Sequence, residues 1–117
     1  MNLSIDIHSE SGYLACTITG EWATDELKAF LETLSNELKK RGCSRIFADM
    51  SQVSGPPQEM DRFYLGKYVA FGLHNIKIAI VYKKVLKNKF FEDTAANRGA
   101  WIMVFPDKPK ALQWLLT

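Results

Sequence analysis

Leu3, Ile5 and Ile7 alternate with Ser4, Asp6 and His8. That is the period-two pattern of a strand with one buried face. Ser9-Glu10-Ser11-Gly12 carries turn chemistry. Residues 13–19 read as a second strand that closes a hairpin with the first, and Gly20 is its expected end. The period then changes. Leu27, Phe30, Leu31, Leu34 and Leu38 recur at helical spacing. Thr24 is the expected N-cap of this helix, because its side-chain oxygen can accept from a free backbone N–H. Asp25 and Glu26 suit the positive end of the helix dipole, Lys39-Lys40-Arg41 the negative end, and Gly42 the stop.

Ile46, Phe47 and Ala48 mark a short buried strand over residues 44–49, and 50–58 read as a loop punctuated by Gly55-Pro56-Pro57. Met60, Phe63, Tyr64, Tyr68 and Phe71 predict a second helix, with Gly72 near its end. Residues 76–82 are almost continuously apolar, as a strand covered on both faces requires. A basic connection over 83–89 leads to a third helix that Asn88 can cap and that runs through Asn97-Arg98 to Gly99. Residues 100–105 form the fifth predicted strand. Asp107 is the expected cap of a last helix, which tolerates Pro109 in its first turn and docks through Leu112, Trp114 and Leu115. The order β-β-α-β-α-β-α-β-α implies an α/β domain. Its five-stranded mixed sheet has an antiparallel N-terminal hairpin, with the remaining strands parallel and linked by right-handed crossovers over four main helices.

Composition narrows the function more than the fold. A chain of 117 residues with 47% hydrophobic residues fits one domain spanning residues 1–117. A net charge of +2 argues against general nucleic-acid binding, which calls for a strongly basic stripe. No run approaches the ~18 apolar residues of a transmembrane helix, and the N-terminus lacks a signal peptide's basic and apolar regions. A cytoplasmic location is expected. The two cysteines, Cys16 and Cys43, read as small, largely buried apolar residues. With His8 and His74 they show no metal-ligand spacing, so neither metal nor cofactor is expected.

The order of elements, together with particular residues, resembles the SpoIIAA-like (STAS) superfamily, and more narrowly the small stand-alone bacterial proteins labelled STAS/SEC14-like. The residues that carry this are Asp61-Arg62-Phe63 with Gly66, Lys77-Ile78-Ala79-Ile80-Val81, Ala96-Asn97-Arg98-Gly99, Val104-Phe105 with Asp107, and Ala111 with Trp114-Leu115. The resemblance implies the fold and no established activity. The superfamily's anti-sigma-factor antagonists resemble one another at Asp-x-Ser-x-Val followed by Asp-Ser-Ser-Gly, where a serine is phosphorylated. Asp49-Met50-Ser51-Gln52-Val53 fits the first part, but residues 54–61 replace the second. Neither Ser51 nor Ser54 stands in the matching place.

Open parallel sheets bind ligands beyond the carboxyl ends of their strands. Here that rim carries Gly20-Glu21-Trp22, Asp49-Met50-Ser51, Tyr82-Lys83-Lys84 and Pro106-Asp107-Lys108. The candidate binding residues are therefore Trp22, Asp49, Ser51, Tyr64, Tyr68, Lys83 and Lys84. Each has a plain structural alternative. Trp22 can be an interface anchor or a lid on the core. Tyr64, Tyr68 and Phe71 can line an apolar groove or simply be core. Lys83, Lys84, Lys87 and Lys89 can meet an acidic partner, a phosphate or an anionic lipid head group, or be a solvated loop. Asp61-Arg62 reads as an ion pair or cap and Arg98 as a helix-end contact. No nucleophile elbow, P-loop or dinucleotide-binding motif is present. An enzyme would need Asp49, Ser51 and a histidine such as His74 to converge. The leading expectation is a non-enzymatic binding module with a protein partner or its own copy. A carrier or sensor of an apolar or anionic small molecule is the alternative, and a small hydrolase comes third.

Overall fold

A computed structural model describes residues 3–55, 75–82 and 101–117. Five strands form one sheet in the order β1-β2-β3-β4-β5: β1 Leu3–Glu10, β2 Tyr13–Glu21, β3 Arg45–Ser54, β4 Lys77–Val81 and β5 Trp101–Phe105. The β1–β2 hairpin is antiparallel and the other three pairings are parallel, as the alternation of strands and helices predicts. Two helices lie among the described residues, α1 Thr24–Arg41 and α2 Lys108–Leu115. The further helices predicted around 60–71 and 88–98 lie outside the described residues.

Strand alternation divides the core into two layers. On one face, Leu14, Cys16 and Ile18 of β2, Ile46 and Ala48 of β3, and Ile78 and Ile80 of β4 pack against Leu27, Phe30, Leu34 and Leu38 of α1. On the other, Ala15, Phe47, Ala79 and Val81 meet Ala111 and Leu115 of α2. Successive strand residues point to opposite faces. Strands whose two faces are both covered are therefore mostly apolar, and all five residues of β4 are buried, Lys77 being its one charged member. α1 ends at Gly42, whose φ of 63° is left-handed, and whose N–H returns to the Leu38 carbonyl. Asp107 caps α2 as its sequence predicts, its Oδ1 accepting from the Lys110 N–H at 3.0 Å.

Three local expectations are corrected. Thr24 is the first residue of α1, not its cap. Ala23 holds the capping position without a side-chain bond, and the Thr24 hydroxyl is taken by the Trp22 indole N–H at 3.1 Å. β2 does not stop at Gly20; it continues to Glu21 because strands flank it, Gly20 standing opposite both Leu3 and Val53. The loop expected from Met50 is strand as far as Ser54. There the register slips. Thr17 faces Asp49 but Thr19 faces Gln52, so β3 holds one extra residue. The bulge turns Met50 and Val53, three apart in sequence, toward the same α1-side core.

Candidate functional site

The rim at the carboxyl ends of the strands is built around Trp22. Its backbone N–H donates to the Ser54 carbonyl at 2.8 Å, tying the end of β2 to the end of β3. Its ring packs edge-on against Tyr82, with centroids 6.4 Å apart at 78°. Tyr82 is buried, and its own N–H donates to the Phe105 carbonyl at 3.1 Å. Trp22 is half-buried and joins the α1-side core, so its role is closer to the lid than to the exposed anchor. It holds together the ends of three strands.

Asp49 and Ser51 come together, but not at a strand end. They sit at the β3 bulge, where Asp49 Oδ1 accepts from the Ser51 N–H at 3.0 Å and the Ser51 hydroxyl at 2.7 Å. Asp49 faces Val81, the last residue of β4. Beyond that row β3 outruns its neighbour, and, among the described residues, 50–54 pair with β2 alone. Gln52 and Ser54 are exposed along this ledge. A serine bonded to a carboxylate still needs a proton-shuttling base in reach to act as a nucleophile. His8 lies in the row of Ala15 on β1, two strands from Asp49. His74, Tyr64, Tyr68, Lys83 and Lys84 lie outside the described residues. Among the described residues no cluster of three or more His, Cys, Asp or Glu could hold a metal ion.

Cys16 is fully buried, and burial pushes its thiol up from 9.0 to about 12, far from the thiolate that chemistry requires. Cys43 is half-buried, its Sγ donating to the Arg45 carbonyl at 3.3 Å. It lines an open polar groove of about 320 Å³ with Ser9, Glu10, Tyr13, Arg41 and Arg45. This groove lies at the amino ends of β2 and β3, opposite the rim.

One constellation has no forerunner in the sequence reading. Lys77 is 8% exposed, yet keeps its charge partnered. Its Nζ donates to the Trp114 carbonyl at 2.6 Å, close to the C-terminal end of α2, and lies 4.6 Å from the Trp101 ring centre and 4.5 Å from that of Trp114. Trp101 is the cross-strand neighbour of Lys77 and remains 59% exposed. The available signal was a lysine breaking an otherwise apolar strand, with tryptophans at the start of the next strand and in the last helix.

No family model matches the chain and no curated protein matches it. Eleven chains of solved structures do, and two of them are informative. One, the crystal structure of an anti-sigma factor antagonist from Mycobacterium paratuberculosis, aligns with a TM-score of 0.66 at 13% identity, covering 98% of this chain and 95% of that one. The other is an uncharacterized protein from the DUF3478 family with a SpoIIAA-like fold, from Shewanella loihica PV-4. It aligns with a TM-score of 0.56 at 20% identity, over 97% and 94% of the two chains. The chain therefore has the SpoIIAA-like, STAS-type α/β fold that its motifs resemble. No described helix is long and apolar enough to cross a membrane.

Proposed function

We propose that this chain is a non-enzymatic interaction module that docks a protein partner on the carboxyl-end rim. The observation that carries the reading is the β3 ledge. Residues 50–54 are paired on one side only among the described residues, and the ledge is stiffened by the Asp49–Ser51 bonds and the Trp22–Ser54 bond. Unpaired strand edges held rigid in advance suit recognition, because little ordering remains to be done on binding. The neighbour described as an anti-sigma factor antagonist supports the reading by fold analogy, which is weaker than site chemistry.

The test is affinity capture with the wild-type chain and a Gln52→Arg, Ser54→Arg variant, both positions being exposed. A stoichiometric partner kept by the wild type and lost by the variant is expected. Native mass spectrometry of gently purified protein supplies the opposing outcome. A retained mass of a few hundred daltons, with no partner that distinguishes the two proteins, would replace this reading with that of a small-molecule carrier.

A further inference from the structure

The outer edge of β5 is unpaired among the described residues, since β5 ends the sheet. Its sequence is Trp-Ile-Met-Val-Phe, without the charge or proline by which edge strands commonly avoid pairing. Hydrogen-bond directions follow from two bonds. The Trp101 N–H donates inward to the Ile76 carbonyl, and the Phe105 carbonyl accepts inward from the Tyr82 N–H. Backbone groups alternate along a strand, so those of Ile102 and Val104 point outward. Trp101 stands beside this bare edge, steadied by Trp114 at 5.8 Å between ring centres and by the Lys77 amine.

We propose that two copies of this chain pair through β5, antiparallel about a two-fold axis at Met103, and so join their sheets edge to edge. In that register Ile102 faces the second copy's Val104 and exchanges both N–H···O=C bonds with it, the hydrogen-bonded kind of antiparallel pair. Trp101 then faces Phe105 of the second copy in the closer, non-hydrogen-bonded kind of pair, and the symmetry repeats the contact. Aromatic cross-strand pairs are among the stabilising ones. The chemistry favours the chain's own copy over a charged foreign strand. The run 101–105 is uncharged, so self-pairing opposes no like charges, and it offers a charged partner no counter-charge within the strand. Pro106 keeps the pairing short. The interface belongs at the small end of specific contacts, below ~1,200 Å², so the dimer is expected to dissociate on dilution. This edge is two strands from the β3 ledge, and either surface can fail without the other.

The test is sedimentation velocity over a micromolar-to-millimolar range on wild type, Trp101→Ser, Val104→Pro and, as a control on the opposite edge strand, His8→Ser. Val104→Pro deletes an outward N–H and leaves the β4–β5 ladder its donors. Trp101→Ser removes the anchor without touching the backbone, so a misfolded proline variant leaves the question answerable. Folding is checked by circular dichroism. The expected result is a monomer–dimer equilibrium in wild type and His8→Ser, with the dissociation constant raised at least about tenfold in the two β5 variants. A wild type that is monomeric throughout overturns the proposal; if another protein then covers this edge, the occupant is a foreign strand. A dimer untouched by both folded β5 variants, or a mass that keeps rising past the dimer, overturns it too.

Discussion

At the scale of single residues, the two groups that distinguish this chain are ones that burial has constrained. Cys16 is neutral in the fold, its thiol raised to about 12 by desolvation against 9.0 for an ordinary thiol. Below pH 9 both folded and unfolded chains hold the proton, and the stability tied to it is complete. Above pH 9 the unfolded chain releases it while the folded chain keeps it. Stability therefore falls as pH rises toward 12, with a contribution on the order of 1.4 kcal/mol per pH unit. Urea unfolding between pH 8 and 11 should show this component in wild type. Cys16→Ala should lack it, though less stable at neutral pH through lost packing. Thiol labelling gives the companion result: Cys43 reacts in the native protein, and Cys16 only on unfolding. Lys77 is the second such group. Lys77→Met removes a charge-assisted hydrogen bond and two ring contacts. It also ends the cost of burying the ammonium group, and the Trp114 carbonyl keeps the Thr117 hydroxyl at 2.9 Å. These opposing changes leave an expected net loss of about 1–2 kcal/mol, to be read as a lower urea midpoint at unchanged slope.

At the scale of elements, helix ends and the bulge show what a sequence can and cannot convey. Asp107 and Gly42 were legible because capping is local. A short acceptor two residues before a proline, or a glycine after a basic turn, leaves few alternatives. Asp107→Ala should cost about 1 kcal/mol. Gly42→Ala should cost on the order of 1–2 kcal/mol, because φ 63° brings an added Cβ into conflict with its own backbone. Both are measured by chemical denaturation, and a cost near zero in either would mean the helix end re-forms elsewhere. Thr24 looked equally good as a cap and is not one, because a long-range arrangement outbid it. The Trp22 indole, placed over the ends of β2 to β4, takes its hydroxyl. The extension of β3 was hidden for a related reason. Met50 and Val53 break the period of two, and only the bulge, set by pairing with the distant β2, brings both to one face. Asp49 and Ser51 could thus be singled out from the sequence, but their place at a bulge rather than at a strand terminus could not.

At the scale of the whole molecule, the fold was legible because its grammar is redundant. A hairpin, apolar strands and intervening helical periods together admit few sheets, and the observed order β1 to β5 follows from neighbours in sequence pairing in space. Edges were the hidden part, since a strand's position in the sheet leaves little trace in its composition; β5 reads as a buried strand and lies at the border. Amide hydrogen exchange measures this directly. The N–H groups of β3 from Ile46 to Asp49, flanked by β2 and β4, should be the slowest in the molecule, near the global unfolding limit. In β5 an alternation is expected in dilute protein. Met103 and Phe105, directed at β4, should be protected, while Ile102 and Val104 exchange quickly. Raising the protein concentration should slow Ile102 and Val104 selectively if β5 pairs with its own copy, and leave Val53, whose N–H points away from β2 on the β3 ledge, unchanged. Slowing confined to the ledge on addition of a captured partner would mark the rim instead. The two surfaces are thus read independently, amide by amide, in one experiment.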